Sequence, residues 1–215
     1  MEVYQTDEER VEVLKKWWKE NGVSLISGLV IGVSALVGWN LWTDHKQGIG
    51  DQASTIYTRM MASIAQGKPD QAQTSAGELV TNFSDSSYAI HAALTMAKVK
   101  VEQGGLEAAA SQLRWALEHA SQAAMKHIAR LRLTRVLLAQ EKHDAALAEL
   151  TGIEAGSFKA MYEELRGDIL LGQGKNKEAH EAFQSAINTL EPTSQNRVML
   201  KMKMDSIGNL DTPAS

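Results

Sequence analysis

The chain has 215 residues, with 22 basic and 26 acidic side chains and a net charge of −4. A balance this close to neutral gives no sign of the basic surface that a nucleic-acid binder needs. Cysteine is absent, which excludes thiol chemistry, disulfide staples, cysteine-type zinc sites and a lipid-modified cysteine anchor.

Residues 1–20 read as a short amphipathic helix. "TDEER" offers Thr6 as an N-cap with Glu9 three residues on, and Val11, Leu14 and Trp18 then share one face. Such a tail is expected to lie against the inner membrane surface.

Residues 21–43 follow as an uncharged window bounded by Glu20 and Asp44. At about 1.5 Å of rise per residue this is long enough to cross a hydrocarbon core of about 30 Å. A secretory signal would be shorter and would end in small residues. This window ends "GWNLWTDHKQ". Four of the five tryptophans flank it, Trp17 and Trp18 before and Trp39 and Trp42 after, where indole favours the headgroup layers. Arg10, Lys15, Lys16 and Lys19 precede the window and only Lys46 closely follows it. The positive-inside rule therefore predicts a single-pass protein with its N-terminus in the cytoplasm and residues 44–215 outside. Ser24, Gly28 and Gly32 form a stripe of small residues that predicts close approach of a partner membrane helix.

Residues 44–215 are rich in Ala, Leu, Glu and Gln, with three prolines at Pro69, Pro192 and Pro213. That composition predicts an all-α region of about nine helices. The interruptions recur: "AQGKPDQA", "EQGGLEAA", "AQEKHDAA" and "GQGKNKEA" align on Gln66, Gln103, Gln140 and Gln173, spaced 37, 37 and 33 residues. A period in the mid-thirties with two helices per unit predicts a tetratricopeptide-like α-solenoid. In that register a small residue of the first helix is Ala97, Thr134 or Gly167. The second helix meets it through Ala109, Ala146 or Ala179 and then a large residue, Leu113, Leu150 or Phe183. The repeat is diverged, since its early tryptophan position carries Ala93, Arg130 and Glu163.

No catalytic chemistry stands out. The histidines (His45, His91, His119, His127, His143, His180) form no H-E-x-x-H pair, and there is no nucleophile elbow or phosphate loop. The reading is of a non-enzyme without cofactor or metal. A solenoid works through its inner face. The register places His91, Leu94, Lys98, Ile128, Leu131, Arg135, Met161, Glu164 and Asp168 there, an apolar and charged groove suited to a polypeptide segment. The methionine-rich "VMLKMKM" of the last helix is a second adaptable surface.

The tail "ERVEVLKKWWKENG", the glycine-rich span and the unit "GDILLGQGKNKEAHEAFQSAI" resemble the YfgM family over essentially the whole chain. The resemblance implies an ancillary subunit of the SecYEG translocon in the inner membrane of a Gram-negative bacterium. It further implies a PpiD-like membrane-anchored chaperone as partner, exported polypeptides as clients passed to periplasmic chaperones, and a cytoplasmic tail that restrains a stress-response regulator. A different class of function also fits the residues: a structural scaffold for an envelope assembly, such as outer-membrane or cytochrome biogenesis.

Overall fold

A computed structural model describes residues 7–210 of the chain. Thr6, expected to cap the first helix, lies outside the described residues, as does Pro213. The described residues are helical throughout, and two compact units are distinguished, Met1–Gln52 and Ala53–Ser215.

The first unit is carried by α1, Asp7–Ala65. Its Arg10–Asn40 portion contains an 18-residue stretch with a mean hydropathy of 1.9 that is almost wholly exposed. It is long and apolar enough to cross a membrane. Leu25, Ile26, Leu29, Val30, Ile31, Val33, Leu36 and Val37 all face outward. Water does not tolerate so much uncovered hydrocarbon on one helix, whereas lipid does. Polar groups in the run turn inward: Ser27 donates its hydroxyl hydrogen to the Val23 carbonyl at 2.7 Å, and Thr43 donates to the Trp39 and Asn40 carbonyls.

The second unit begins with residues 53–65 of α1. It continues through α2 (Pro69–Asn82), α3 (Ser87–Glu102), α4 (Leu106–His119), α5 (Ala123–Ala139) and α6 (His143–Leu150). A 3₁₀ turn at Gly156–Phe158 leads to α7 (Lys159–Gly172), α8 (Asn176–Thr189) and α9 (Asn196–Leu210). Helices adjacent in sequence pack together, and α5 also meets α7. This is the all-α, helix-pair array that the period predicts. The break between α4 and α5 lacks glycine and proline, which is why the turn-residue pattern under-reports it. Helix α6 is cut to eight residues because the chain turns at Gly152, with φ +72°.

The recurring glutamines mark one turn built four times. Each follows the last residue of a first helix, and the next residue has positive φ: Gly67 (+68°), Gly104 (+77°), Glu141 (+60°) and Gly174 (+73°). In each turn the N–H of the positive-φ residue bonds the carbonyl three residues back, and the next N–H reaches five back. Gly104 bonds Val101 at 2.9 Å and Gly105 bonds Lys100 at 2.8 Å, for example. This Schellman geometry satisfies carbonyls that a helix end otherwise orphans. Three of the four positions are glycine, which takes positive φ without steric cost.

The repeat register holds in the packing. Ala97, Thr134 and Gly167 are buried, as are Ala109, Ala146, Ala179, Leu113, Leu150 and Phe183. Thr134 is fully buried because its hydroxyl donates to the Arg130 carbonyl at 2.9 Å. Gly167 makes room for the Phe183 ring: an added Cβ would lie 2.5 Å from it. Arg130, at the diverged tryptophan position, is partly buried and pairs with Glu149 of α6 at 3.8 Å. Trp115 packs against both the cluster around Met60, Leu79 and Met96 and the larger one around Leu113, Leu133 and Ile169. One side chain thereby joins neighbouring cores. At the far end α9 covers Phe183 and Ile187 with Leu200 and Ile207. Arg197 of α9 donates to the Ile187 and Leu190 carbonyls at 2.7 and 2.9 Å, satisfying the end of α8.

Candidate polypeptide-binding face

The first helices of the units, α3, α5 and α7, carry the residues predicted to line a groove, and the structure sorts them into three groups. Lys98, Arg135 and Met161 are exposed, and His91 and Ile128 are half-buried. Leu94 and Leu131 lie in the core at 5% and 3% exposure. Leu131 packs among core side chains instead of facing a ligand, and Leu94 contributes only to the floor of a cleft described below. The reason is geometric: a first helix packs against both its own partner and the next unit, so little of its circumference stays free. Glu164 and Asp168 form the third group, partly buried beneath α9.

Lys203 of α9 holds that third group. Its ammonium lies 2.9 Å from Glu164 Oε1 and 2.7 and 2.9 Å from the two oxygens of Asp168. Two carboxylates thus share one cation in a site where all three side chains are less than a third exposed. Burial, with help from the Glu164 charge, raises the Asp168 carboxyl above its ordinary value, against the pull of Lys203 and Arg135. Burial opposes the charge on Lys203, but its hydrogen bonds to both carboxylates raise its pKa above the usual lysine value. Asp168 is therefore no free acidic wall. The acidic end of the charged groove is neutralised by a residue 35 positions away.

Between α3, α4 and α5 an apolar cleft of about 370 Å³ opens at the surface. Leu94, Ala97, Leu113 and Val136 line it, with Val101 and Leu106 on its α3 and α4 sides, and Lys98, Arg132 and Arg135 bordering it. Val101 is 42% exposed. Sequence periodicity identifies Leu94, Lys98 and Arg135 but misses Leu106, which α4 contributes, and Val101, Arg132 and Val136, which sit on α3 and α5 outside the positions the repeat register assigns to the inner face. The available signal was in α5, which carries Lys126, Arg130, Arg132 and Arg135 and no acid.

Three histidines have structural partners. His127 shares a 2.9 Å hydrogen bond with the Tyr162 hydroxyl and stacks on Phe158. His119 stacks on Trp115 and bonds its carbonyl, and His91 meets the edge of Tyr57. Among the described residues no group of three or more His, Asp or Glu side chains is placed to hold a metal ion. On α1, Ser24, Gly28 and Gly32 lie exposed, with open space where a Cβ at either glycine would stand. On α9, Val198, Met199 and Met202 are exposed.

A family model described as "Tetratricopeptide repeat-like domain" matches residues 15–209. The protein named "Ancillary SecYEG translocon subunit" of Escherichia coli (strain K12) is 32% identical over 207 residues, covering 96% of this chain and 99% of that relative. Its namesake in Haemophilus influenzae is 30% identical over 201 residues, covering 94% and 97%. That of Neisseria gonorrhoeae is 27% identical over 210 residues, covering 96% and 100%. Among solved structures, MamA of Desulfovibrio magneticus RS-1 (residue 41 to the end) superposes with a TM-score of 0.54. It is 19% identical, covers 75% of this chain and 90% of that one, and shows the fold alone.

Proposed function

This chain belongs to the YfgM family of ancillary SecYEG translocon subunits, and from that premise we propose that it is an inner-membrane accessory of the SecYEG translocon that receives exported polypeptides. Residues 21–43 span the membrane, residues 1–20 stay in the cytoplasm, and the helical array stands in the periplasm. There the array works beside a PpiD-like membrane-anchored chaperone and helps pass emerging chains to periplasmic chaperones. The cytoplasmic tail restrains a stress-response regulator. No step requires bond chemistry; the protein acts by binding.

The observation that carries this reading is the extent of the match. Tail, span and array all have counterparts in a relative that is matched over 99% of its length. The first-helix face supports it, because it offers the exposed Met161 and the half-buried Ile128 together with the exposed cations Lys98 and Arg135. Such a face binds extended segments through shallow apolar contacts, each worth about 1–2 kcal/mol when covered. Binding of this kind is weak and tolerant of sequence, as a transit station requires.

Photocrosslinking side chains placed at Gly28 and Val101 in living cells test the reading. The expected products are a translocon subunit or the chaperone partner from Gly28, and many different exported chains from Val101. One or two constant partners from Val101, with no exported chains, would replace this reading with an envelope-assembly scaffold. Loss of every translocon or chaperone product would remove the translocon assignment itself.

A further inference from the structure

The cleft between α3, α4 and α5 is bordered by one sign of charge. Lys98, Arg132 and Arg135 all stand at its edge. Lys98 has Glu102 at 3.7 Å on its own helix, a pair that is largely exposed on both sides. Neither Arg132 nor Arg135 forms a close ion pair among the described residues, although Arg135 acts on the Asp168 carboxylate from further off. Arg130, by contrast, is taken up by Glu149. Helix α5 has no acid of its own to balance these cations. The cleft interior is the opposite in kind, formed by Leu94, Ala97, Leu113 and Val136. Apolar walls lower the local dielectric, so charges at the edge act more strongly on whatever enters than they would in open water.

We infer that this cleft is a subsite selecting acidic-flanked apolar residues in a polypeptide: one large apolar side chain enters the cleft while carboxylates on either side of it meet Arg132, Arg135 and Lys98. Two features of the geometry divide the work. The apolar volume near 370 Å³ is at the small end for a ligand pocket and suits a side chain more than a folded surface. The guanidinium groups present planar, paired donors that match carboxylates better than any other common side-chain anion partner. A basic segment of the same apolar content would meet like charge and be turned away. This inference rests on the reading that the array receives exported chains, and adds which of their segments are held longest.

The test uses the full chain in lipid nanodiscs and two short labelled peptides, each with a central Phe, flanked by Glu in one and by Lys in the other. Fluorescence anisotropy is expected to show the acidic peptide binding about tenfold more tightly at low salt, as two or three exposed ion pairs allow. That preference should shrink at high salt. The double variant R132E/R135E should reverse the preference. Val101→Trp, which fills the cleft and leaves the cations alone, should weaken the acidic peptide. Circular dichroism checks the fold of each variant, and R132Q/R135Q substitutes if the reversed charges unfold it. Equal binding of both peptides overturns the inference, as does a preference that Val101→Trp does not reduce. If neither peptide binds yet exported chains still crosslink to Val101 in cells, the inference fails while the translocon reading stands. If the crosslinks also vanish, both fail.

Discussion

Gly167→Ala adds a single methyl group on α7 against the Phe183 ring of α8. Its Cβ would stand 2.5, 2.6 and 2.8 Å from three ring carbons of Phe183, where carbon atoms rest at about 3.5–4.0 Å. The ring is fully buried, with the Lys203 ammonium 5.4 Å from its centroid. Relief requires α7 and α8 to part or the ring to leave its position, and overpacking of this kind costs about 1–3 kcal/mol. Opposing it is the intrinsic preference of a helix for Ala over Gly, about 1 kcal/mol. Gly77 isolates that second effect. It lies exposed within α2, and a Cβ there meets nothing within 4 Å. The same substitution should therefore act differently at the two sites: Gly77→Ala stabilising by about 0.5–1 kcal/mol and Gly167→Ala destabilising by up to about 2 kcal/mol. Thermal unfolding of the detergent-solubilised chain, followed by circular dichroism, should separate the two midpoints by several degrees, at about 2–4 °C per kcal/mol for a domain of this size. Adding Phe183→Leu to Gly167→Ala should recover part of the loss, since directly touching residues are coupled. A Gly167→Ala protein as stable as the Gly77→Ala protein would refute the claim that a bare backbone is needed where α7 meets α8.

Glu141 holds a φ of +60° at the turn position that is glycine in the other three units. Glu141→Gly should raise stability by about 0.5–1 kcal/mol, the left-handed strain of about 1–2 kcal/mol less the extra freedom glycine gives the unfolded chain; a lower melting midpoint would contradict this. Lys203→Ala strands Glu164 and Asp168 beneath α9 and should cost about 2 kcal/mol near pH 7, less than a fully buried pair because each side chain keeps some solvent contact. The penalty should shrink as pH falls into the carboxyl range, where protonation removes the unpaired charges. In the unaltered protein the raised Lys203 contributes stability that is fully present below its ordinary value of 10.5 and is lost as pH rises through its higher folded value. Asp168 has the same sign, since a raised carboxyl favours the folded state more as pH falls toward its ordinary value of 3.8. Acid titrations of melting midpoints for both proteins check the pair, and a Lys203→Ala penalty constant from pH 7 to pH 4 would count against it. Replacing Gly28 and Gly32 together by Leu should reduce copurification of a membrane partner without releasing the chain from the membrane; unchanged recovery would show that the stripe makes no contact.

The span and the repeat register were legible because each rests on residues whose effect is local. Charge is absent between Glu20 and Asp44, and the glutamine turns close on hydrogen bonds within five residues. Ala109, Ala146 and Ala179 were readable as packing sites because only a small side chain fits between paired helices at a fixed distance along the repeat. The groove was less legible. Leu94 and Leu131 share a period with ligand-facing positions, yet that period also serves the contact between successive units, and the core claims them. Lys203 reaches Glu164 and Asp168 across 39 and 35 residues. No repeat signal points to it, since α9 stands outside the paired helices. Arg132 escaped for a simpler reason: an exposed cation on a helix looks solvated until the acids that should accompany it are found missing.

Every backbone hydrogen bond outside the helices, among the described residues, joins positions no more than five apart. Nothing in the main chain therefore rivets one unit of the array to the next; side chains such as Trp115 and the His127–Tyr162 pair carry that load, with short peptide connections as the links. The array is mechanically a stack of plates held face to face, and a small tilt between plates breaks no backbone bond. An array made this way can yield by a few degrees at each junction and still keep every helix whole.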